Sequence, residues 1–204
     1  MLTTPIQKVV LTGGPCAGKT TVLHHMQAYY LTEIHMVSEA ATRVLETVMR
    51  VPGKDTEWTP EWQEVFQQEV LYHQLREEFR AQQLAEMFCK RLILCDRGTL
   101  DGAAYTPGGV DAFCQLTGLE AIEELNRYAA VIHLESVATS APHLYGTAGN
   151  TNRFEDLERA QMLEHATRAA WGAHPRWVFI AGSQTIESKV AQVLKVVQAL
   201  LRGE

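Results

Sequence analysis

Residues 8–20 read Lys-Val-Val-Leu-Thr-Gly-Gly-Pro-Cys-Ala-Gly-Lys-Thr, an apolar run that passes into glycines and then a lysine. Its second part fits the pattern Gly-x-x-x-x-Gly-Lys-Ser/Thr, with Gly13, Gly18, Lys19 and Thr20 at the fixed positions. Glycines let successive backbone N–H groups converge on an anion, and a helix that starts after them adds free donors and a partial positive charge. The segment therefore predicts a phosphate-binding loop between a strand and a helix.

The predicted loop defines a set of nucleotide contacts. We expect these to come from Gly13, Gly14, Pro15, Cys16, Ala17, Gly18, Lys19, Thr20 and Thr21. In such a loop Lys19 reaches the β- and γ-phosphates, and the Thr20 hydroxyl is a ligand for Mg²⁺. The expected cofactor is Mg²⁺ with ATP or GTP. The alternative is a glycine-rich turn followed by an unrelated lysine, which the position between a strand and a helix disfavours.

Composition and charge limit the class of protein. The chain has 204 residues, of which 46% are hydrophobic, and its formal net charge is −6. A protein that binds duplex nucleic acid needs a basic surface, so we do not expect a nucleic-acid partner. No apolar run is long enough to span a bilayer, and the N-terminus does not resemble a signal peptide. The four cysteines lack paired spacing, so we expect reduced thiols and a cytoplasmic location.

Short apolar runs alternate with helical patterns along the chain. We predict strands at 8–12, 34–37, 91–96, 130–134 and 177–180. We predict helices at about 18–31, 38–50, from 59 onward, 119–127, 153–171 and 186–201. We also predict a glycine-rich, partly irregular connection at 99–118 and a flexible loop at 136–152. Such alternation implies right-handed crossovers and a parallel sheet covered on both faces. The expected fold is one three-layer α/β domain over residues 1–204, with a five-stranded parallel sheet.

The third predicted strand ends in Cys-Asp-Arg-Gly at residues 95–98. An apolar strand that ends in Asp96 brings a carboxylate to the edge of the sheet where ligands bind in open α/β folds. There Asp96 can hold Mg²⁺, and Arg97 can clamp a phosphate or an anionic acceptor. The alternative is an Asp–Arg pair on the surface that caps the next turn.

A further carboxylate, Glu39, follows the second predicted strand. It is expected at the same sheet edge, where it can accept a proton from the hydroxyl of an acceptor. The alternative is that Glu39 only stabilises the first turn of the helix that follows, through the helix dipole. His133, on an apolar strand, is expected to be a buried core histidine with its hydrogen bonds satisfied.

The segment around Gly146–Arg153 is rich in glycine and small polar residues. It predicts a lid at about residues 136–160 that closes over the phosphates and carries Arg153 as a catalytic cation. The alternative is that Arg153 is an exposed residue at the start of a helix, paired with Glu155 or Asp156.

Four segments together resemble the NadR-like AAA domain family: Gly-Gly-Pro-Cys-Ala-Gly-Lys-Thr-Thr, Ser-Glu-Ala-Ala-Thr, Cys-Asp-Arg-Gly-Thr-Leu-Asp-Gly-Ala-Ala-Tyr and Asn-Thr-Asn-Arg-Phe-Glu. That family includes the translocation-defect GTP-binding proteins and is related to the nicotinamide riboside kinase domain of NadR. The resemblance spans nearly the whole chain and implies a P-loop kinase fold that binds ATP or GTP with Mg²⁺. The resemblance implies that Lys19, Thr20 and Asp96 are site residues. It implies the same for Glu39, Arg97 and Arg153. Ser38 stands where relatives often have proline.

Two classes of function fit this sequence. The first is a Mg²⁺-dependent kinase that transfers the γ-phosphoryl group to a small nucleoside- or nucleotide-like acceptor. The second is a regulatory protein that binds and slowly hydrolyses a nucleoside triphosphate without an acceptor. The chain lacks the Asn-Lys-x-Asp motif that reads guanine, which disfavours a Ras-like switch. An arginine on a predicted lid favours the kinase.

Overall fold

A parallel sheet of five strands forms the centre of the protein. The structure is a computed structural model that describes residues 5–145, 156–182 and 185–203. The strands are β1 (Gln7–Thr12), β2 (Ile34–Val37), β3 (Leu92–Asp96), β4 (Ala130–Leu134) and β5 (Trp177–Ile180). Their order is β2-β3-β1-β4-β5, and all four pairs are parallel. The predicted five-stranded parallel sheet is confirmed, and β1, which leads into the glycines, lies in its middle.

Helices follow the strands and cover both faces of the sheet. They are α1 (Lys19–Tyr29), α2 (Ala40–Thr47), α3 (Pro60–Met87), α4 (Gly109–Thr117), α5 (Ala121–Asn126), α6 (Val137–Ser140), α7 (Leu157–Trp171) and α8 (Ile186–Arg202). Short 3₁₀ helices cover Thr99–Tyr105 and Pro142–Leu144. Among the described residues, no helix is both long and apolar enough to cross a membrane.

The alternation of side chains along β1 divides the interior into two cores. Val9 and Leu11 pack on one face with apolar residues of α1 and α8. Val10 packs on the other face, against residues of α3, α4 and α7 that include Trp171. These β1 side chains are all fully buried, as in a parallel sheet with helices on both sides. The three-layer α/β architecture is therefore confirmed.

The buried face of the long helix α3 differs from the face that its apolar residues predict. Thr59 caps its first turn by accepting a hydrogen bond from the Trp62 backbone N–H. Apolar residues recur at three-to-four spacing between Trp62 and Phe79, which predicts a buried face, but Val65 and Phe79 of this series are 48% and 67% exposed. The buried face instead carries polar residues such as Glu78, which is satisfied by hydrogen bonds from Lys8, Arg127, Tyr128 and Gln74. Hydrogen-bonded polar groups therefore occupy part of the face that the pattern assigned to apolar residues.

Two of the predicted connections contain helices. The 99–118 segment, predicted as a glycine-rich and partly irregular connection, holds the first 3₁₀ helix and α4, so its regular part is helical. Two of its glycines lie at the ends of a helix: Gly108 precedes α4 and Gly118 ends it, both with a positive φ. The predicted flexible loop begins with α6 and the second 3₁₀ helix, which take up residues 137–144.

The helix expected to start at residue 153 starts later. Asp156 is extended, and its side chain accepts a hydrogen bond from the backbone N–H of Arg159, so it caps α7 at Leu157. An aspartate at this position satisfies one of the free N–H groups of the first turn. Arg153 itself, and with it the central part of the predicted lid, lies outside the described residues.

Candidate functional site

The carboxyl ends of the central strands bring the predicted site residues to one edge of the sheet. Leu11 of β1 is in register with Asp96 of β3, and Thr12 is in register with His133 of β4. Val37, the last residue of β2, is in register with Cys95. The loops that follow β1, β2 and β3 therefore lie next to one another, at the edge where parallel sheets bind ligands.

The loop after β1 wraps around the side chain of Lys19. The ammonium of Lys19 donates hydrogen bonds to the carbonyls of Gly13 at 2.8 Å and Gly14 at 3.0 Å. Gly13 has φ 140°, and a Cβ there would lie 2.0 Å from the Leu134 carbonyl oxygen, so only glycine fits. Gly18 has φ 88° and leads directly into α1, which has no side-chain cap. The free N–H groups of this helix start face the loop interior, where an anion is favoured.

The ammonium of Lys19 lies among other charged groups. Burial and the positive charge of Arg97 lower the pKa of Lys19 to about 8, while the nearby Asp96, Glu39 and Asp101 oppose this shift. Among the described residues Lys19 forms no ion pair, and its ammonium is held by the carbonyl groups of Gly13 and Gly14. A cation in this state gains stabilisation when an anion enters the loop.

Asp96 is a carboxylate at this edge of the sheet with an unsatisfied oxygen. Its Oδ1 is buried and has no hydrogen-bond partner among the described residues. Burial and the negative charge of Glu39 raise the pKa of Asp96 to about 6, against the opposing effects of Lys19 and Arg97. A buried oxygen without a partner at a ligand-binding edge fits a site for a cation or for a hydrogen-bond donor.

Glu39 and Arg97 form an ion pair beside Asp96. The guanidinium Nε of Arg97 lies 2.7 Å from Glu39 Oε1, and the guanidinium Nη1 lies 3.1 Å from Asp101 Oδ1. Burial would raise the pKa of Glu39, but the charge and hydrogen bond of Arg97 outweigh it and hold the pKa at about 2. The second Glu39 oxygen accepts a hydrogen bond from the Thr42 hydroxyl at 2.8 Å. Glu39 stays ionised, and Arg97 pairs with it rather than with Asp96.

Asp101 is a residue of this site to which sequence reasoning gave no role. Its carboxylate accepts hydrogen bonds from the Thr12 hydroxyl at 2.6 Å, the Gly98 backbone N–H at 2.9 Å and the Trp171 indole at 3.0 Å. With these contacts it anchors Arg97 to the end of β1 and to α7. The signal was present in the spacing, because Asp101 lies four residues after Arg97, as in the first turn of a helix.

A cavity of about 940 Å³ opens where Glu39 and Arg97 meet. Aromatic side chains line much of its wall: Trp58, Trp62, Phe66 and Tyr105. The rings of Trp62 and Phe66 stack at 4.8 Å. Charged residues, among them Glu64 of α3 and Arg159 of α7, also line the cavity. Its volume is in the range of sites for small molecules, which combine apolar walls with polar groups.

Comparison with known proteins identifies the family. A family described as an AAA domain matches residues 8–189, a range that begins in β1, ends in α8 and includes the loop around Lys19. No curated protein matches the chain. Because the match covers far more than half of its length, the chain belongs to this AAA domain family, a P-loop family whose membership implies nucleotide binding.

Proposed function

We propose that this protein is a Mg²⁺-dependent kinase, which transfers the γ-phosphoryl group of ATP or GTP to the hydroxyl group of a small, nucleoside-like acceptor. The observation that carries the proposal is the cavity of about 940 Å³ at Glu39 and Arg97. A protein that only binds and hydrolyses a nucleotide needs access for water and no second cavity for a small molecule. The kinase therefore accounts for a feature that the regulatory alternative leaves without a role.

The triphosphate binds in the loop formed by residues 13–18. Lys19 leaves the carbonyls of Gly13 and Gly14 and pairs with the β- and γ-phosphates. The backbone N–H groups of Thr20 and Thr21, in the first turn of α1, are further donors to the phosphates. From the predicted lid, Arg153 supplies further positive charge to the transferred group, whereas Arg97 stays paired with Glu39 and Asp101.

Thr20 and Asp96 are the residues that would hold Mg²⁺. Hydroxyl and carboxylate oxygens are the donors that this ion prefers, and the unpartnered Asp96 Oδ1 fits such a ligand. When bound, the ion neutralises charge on the phosphates during transfer.

Replacement of Asp96 by asparagine is expected to weaken nucleotide binding in Mg²⁺ much more than in EDTA. The substitution removes the anionic anchor of the metal and leaves the N–H groups of the loop in place. Calorimetric titration of wild type and Asp96→Asn with and without the metal measures both effects. Equal losses under the two conditions would show that Asp96 acts through protein contacts and not through Mg²⁺.

The affinity for ATP is expected to fall as the pH rises above about 8. The pKa of Lys19 in the free protein is about 8, and a bound triphosphate favours the charged amine and so raises that pKa. Binding is therefore strongest below this pH and weakens as the pH rises through it. Titrations at constant ionic strength between about pH 7.5 and 9.5 test this, with Lys19→Arg as a control whose guanidinium stays charged. A constant affinity of the wild type over this range would contradict it.

The acceptor binds in the cavity with its hydroxyl at Glu39. The ionised carboxylate of Glu39 accepts a hydrogen bond from that hydroxyl and directs its oxygen at the γ-phosphate. The aromatic wall formed by Trp58, Trp62, Phe66 and Tyr105 suits a flat ring such as a base. Arg97 is already paired with Glu39 and Asp101, which favours a neutral hydroxyl over a phosphate as the accepting group.

A panel of acceptors tests the proposed function. Purified protein is incubated with MgATP or MgGTP and one nucleoside, riboside or nucleotide at a time, and release of the nucleoside diphosphate is measured. We expect at least one uncharged compound with a flat ring and a hydroxyl group to raise the rate well above basal hydrolysis, and Lys19→Ala to abolish the increase. Basal rates with every compound would favour the regulatory alternative.

A further inference from the structure

Glu164 is a fully buried carboxylate of α7 that contacts the phosphate-binding loop. It lies in the middle of α7 and has no solvent exposure. Its Oε2 accepts hydrogen bonds from the backbone N–H groups of Gly14 at 2.9 Å and Ser136 at 3.2 Å. Its Oε1 pairs with Nε2 of His133 at 2.7 Å. One side chain thus joins α7, the end of β4 and the loop after β1.

The charge of Glu164 is compensated within this cluster. Burial would raise the pKa of Glu164, but the hydrogen bond and charge of His133 and the two backbone N–H groups outweigh it and lower the pKa. A buried carboxylate is tolerated only when several donors satisfy it, and these three contacts do so. The carboxylate therefore stays ionised and holds its donors in place.

Gly14 lies unusually close to Glu164. A Cβ at Gly14 would be 2.8 Å from Glu164 Oε2 and 3.1 Å from Glu164 Cα, so the glycine lets the loop rest directly on α7. The N–H of Gly14 points to Glu164, and its carbonyl accepts from Lys19 at 3.0 Å. Ser136 supports the same loop with its hydroxyl, which donates a hydrogen bond to the carbonyl of Pro15.

We infer that Glu164 is a positioning residue for triphosphate binding. Because it holds the Gly14 N–H away from the ligand, it fixes the first turn of the loop and aims the later N–H groups at the phosphates. The loop is then shaped before the nucleotide arrives, and binding does not have to order it. This inference rests on the nucleotide binding of the proposed function and does not depend on the acceptor.

Substitutions of Glu164 separate positioning from a purely structural role. Leucine at this position fills the space but leaves the N–H groups of Gly14 and Ser136 without an acceptor. Glutamine keeps an acceptor for both, and its amide donates to Nε2 of His133 in the other tautomer. We expect Glu164→Leu to lower the affinity for MgATP at least about tenfold, the effect of one charge-assisted hydrogen bond. We expect Glu164→Gln to remain within about threefold of the wild type.

Glu124 provides a matched control. It is also a buried carboxylate, only 6% exposed, and it pairs with Arg127 at 3.2 Å. Arg127 in turn shares Glu78 with Lys8, near the first residue of β1, so Glu124 lies at the opposite edge of the sheet. Glu124→Leu is expected to lower the melting temperature without changing the affinity for MgATP. Equal losses of affinity in Glu124→Leu and Glu164→Leu would overturn the inference, since general destabilisation would then explain both.

A measurement on the wild type covers the case in which Glu164→Leu does not fold. Amide hydrogen exchange, followed by NMR on the nucleotide-free protein, reports directly on the N–H of Gly14. We expect this proton to be strongly protected although it lies in a loop, with similar protection at Ser136. Rapid exchange at Gly14 would overturn the inference. Wild-type protein that binds no nucleoside triphosphate would instead contradict the proposed function, whatever the state of Gly14.

Discussion

Replacement of Glu39 by glutamine is expected to lower acceptor-dependent turnover by roughly 10²–10⁴, the range that general acid–base groups contribute. The isosteric amide removes the negative charge that polarises the acceptor hydroxyl as its oxygen attacks the γ-phosphate. Nucleotide affinity is expected to stay within about threefold, because Glu39 belongs to the acceptor side of the site and not to the phosphate loop. Rates of nucleoside diphosphate release at saturating nucleotide, together with calorimetric affinities, measure the two effects.

Glu46 supplies the control for this substitution. It lies on the same helix, α2, and forms only an exposed ion pair with Arg43 at 3.4 Å. Glu46→Gln is therefore expected to behave as the wild type in both measurements. Normal acceptor-dependent turnover in Glu39→Gln would exclude Glu39 as the group that orients and polarises the acceptor hydroxyl. Asp96, a carboxylate at this edge whose pKa is raised, would then be the candidate.

Replacement of Lys19 by alanine is expected to reduce affinity for ATP and GTP by about tenfold to a hundredfold while the fold remains intact. The lost contact is a charge-assisted hydrogen bond of about 1.5–3 kcal/mol. In the free protein, Lys19 makes its two hydrogen bonds to the carbonyls of Gly13 and Gly14 and no ion pair among the described residues, so little stability depends on it. Calorimetry with both nucleotides, alongside circular dichroism, tests this result. Unchanged affinity for both would contradict the assignment of the phosphate loop.

The sheet could be predicted from local sequence because buried parallel strands are short apolar runs between turns. The predicted bounds of β2, β4 and β5 agree with the structure, and β1 and β3 differ by one residue. The pattern was less informative for α3, where Val65 and Phe79 are exposed and Glu78 is buried. Periodicity identifies a helix, but it does not reveal that three donors from distant parts of the chain, together with Gln74 of the same helix, satisfy a buried carboxylate.

In the candidate site, too, contiguous segments could be predicted from the sequence, but contacts between distant residues could not. The loop from Gly13 to Thr21 is contiguous, so its pattern predicts its shape. Glu164, in contrast, is 150 residues from its partner Gly14, and nothing near it in sequence marks it. His133 was expected to be a satisfied core histidine, and only its Nε2 has a partner among the described residues. The role of Glu164 follows from tertiary contacts that no local pattern encodes, whereas Asp101 combines a local contact with Arg97 and distant ones with Thr12 and Trp171.

The arrangement of Glu39, Arg97 and Asp101 required the structure for the same reason. Glu39 and Arg97 are 58 residues apart and meet because β2 and β3 are adjacent. Their pairing makes Glu39 a permanently ionised group and turns Arg97 towards it instead of towards Asp96. The sequence predicts that Glu39 and Arg97 lie at this edge of the sheet, but it does not show that they pair with each other.

The fate of the γ-phosphoryl group tests the central claim most directly. Protein is incubated with MgATP or MgGTP labelled in the γ-position and with the acceptor that stimulates the reaction, and the products are separated by mass. The kinase predicts one molecule of phosphorylated acceptor for each molecule of nucleoside diphosphate formed, and little inorganic phosphate. Label that appears only as inorganic phosphate, with every acceptor left unmodified, would contradict it.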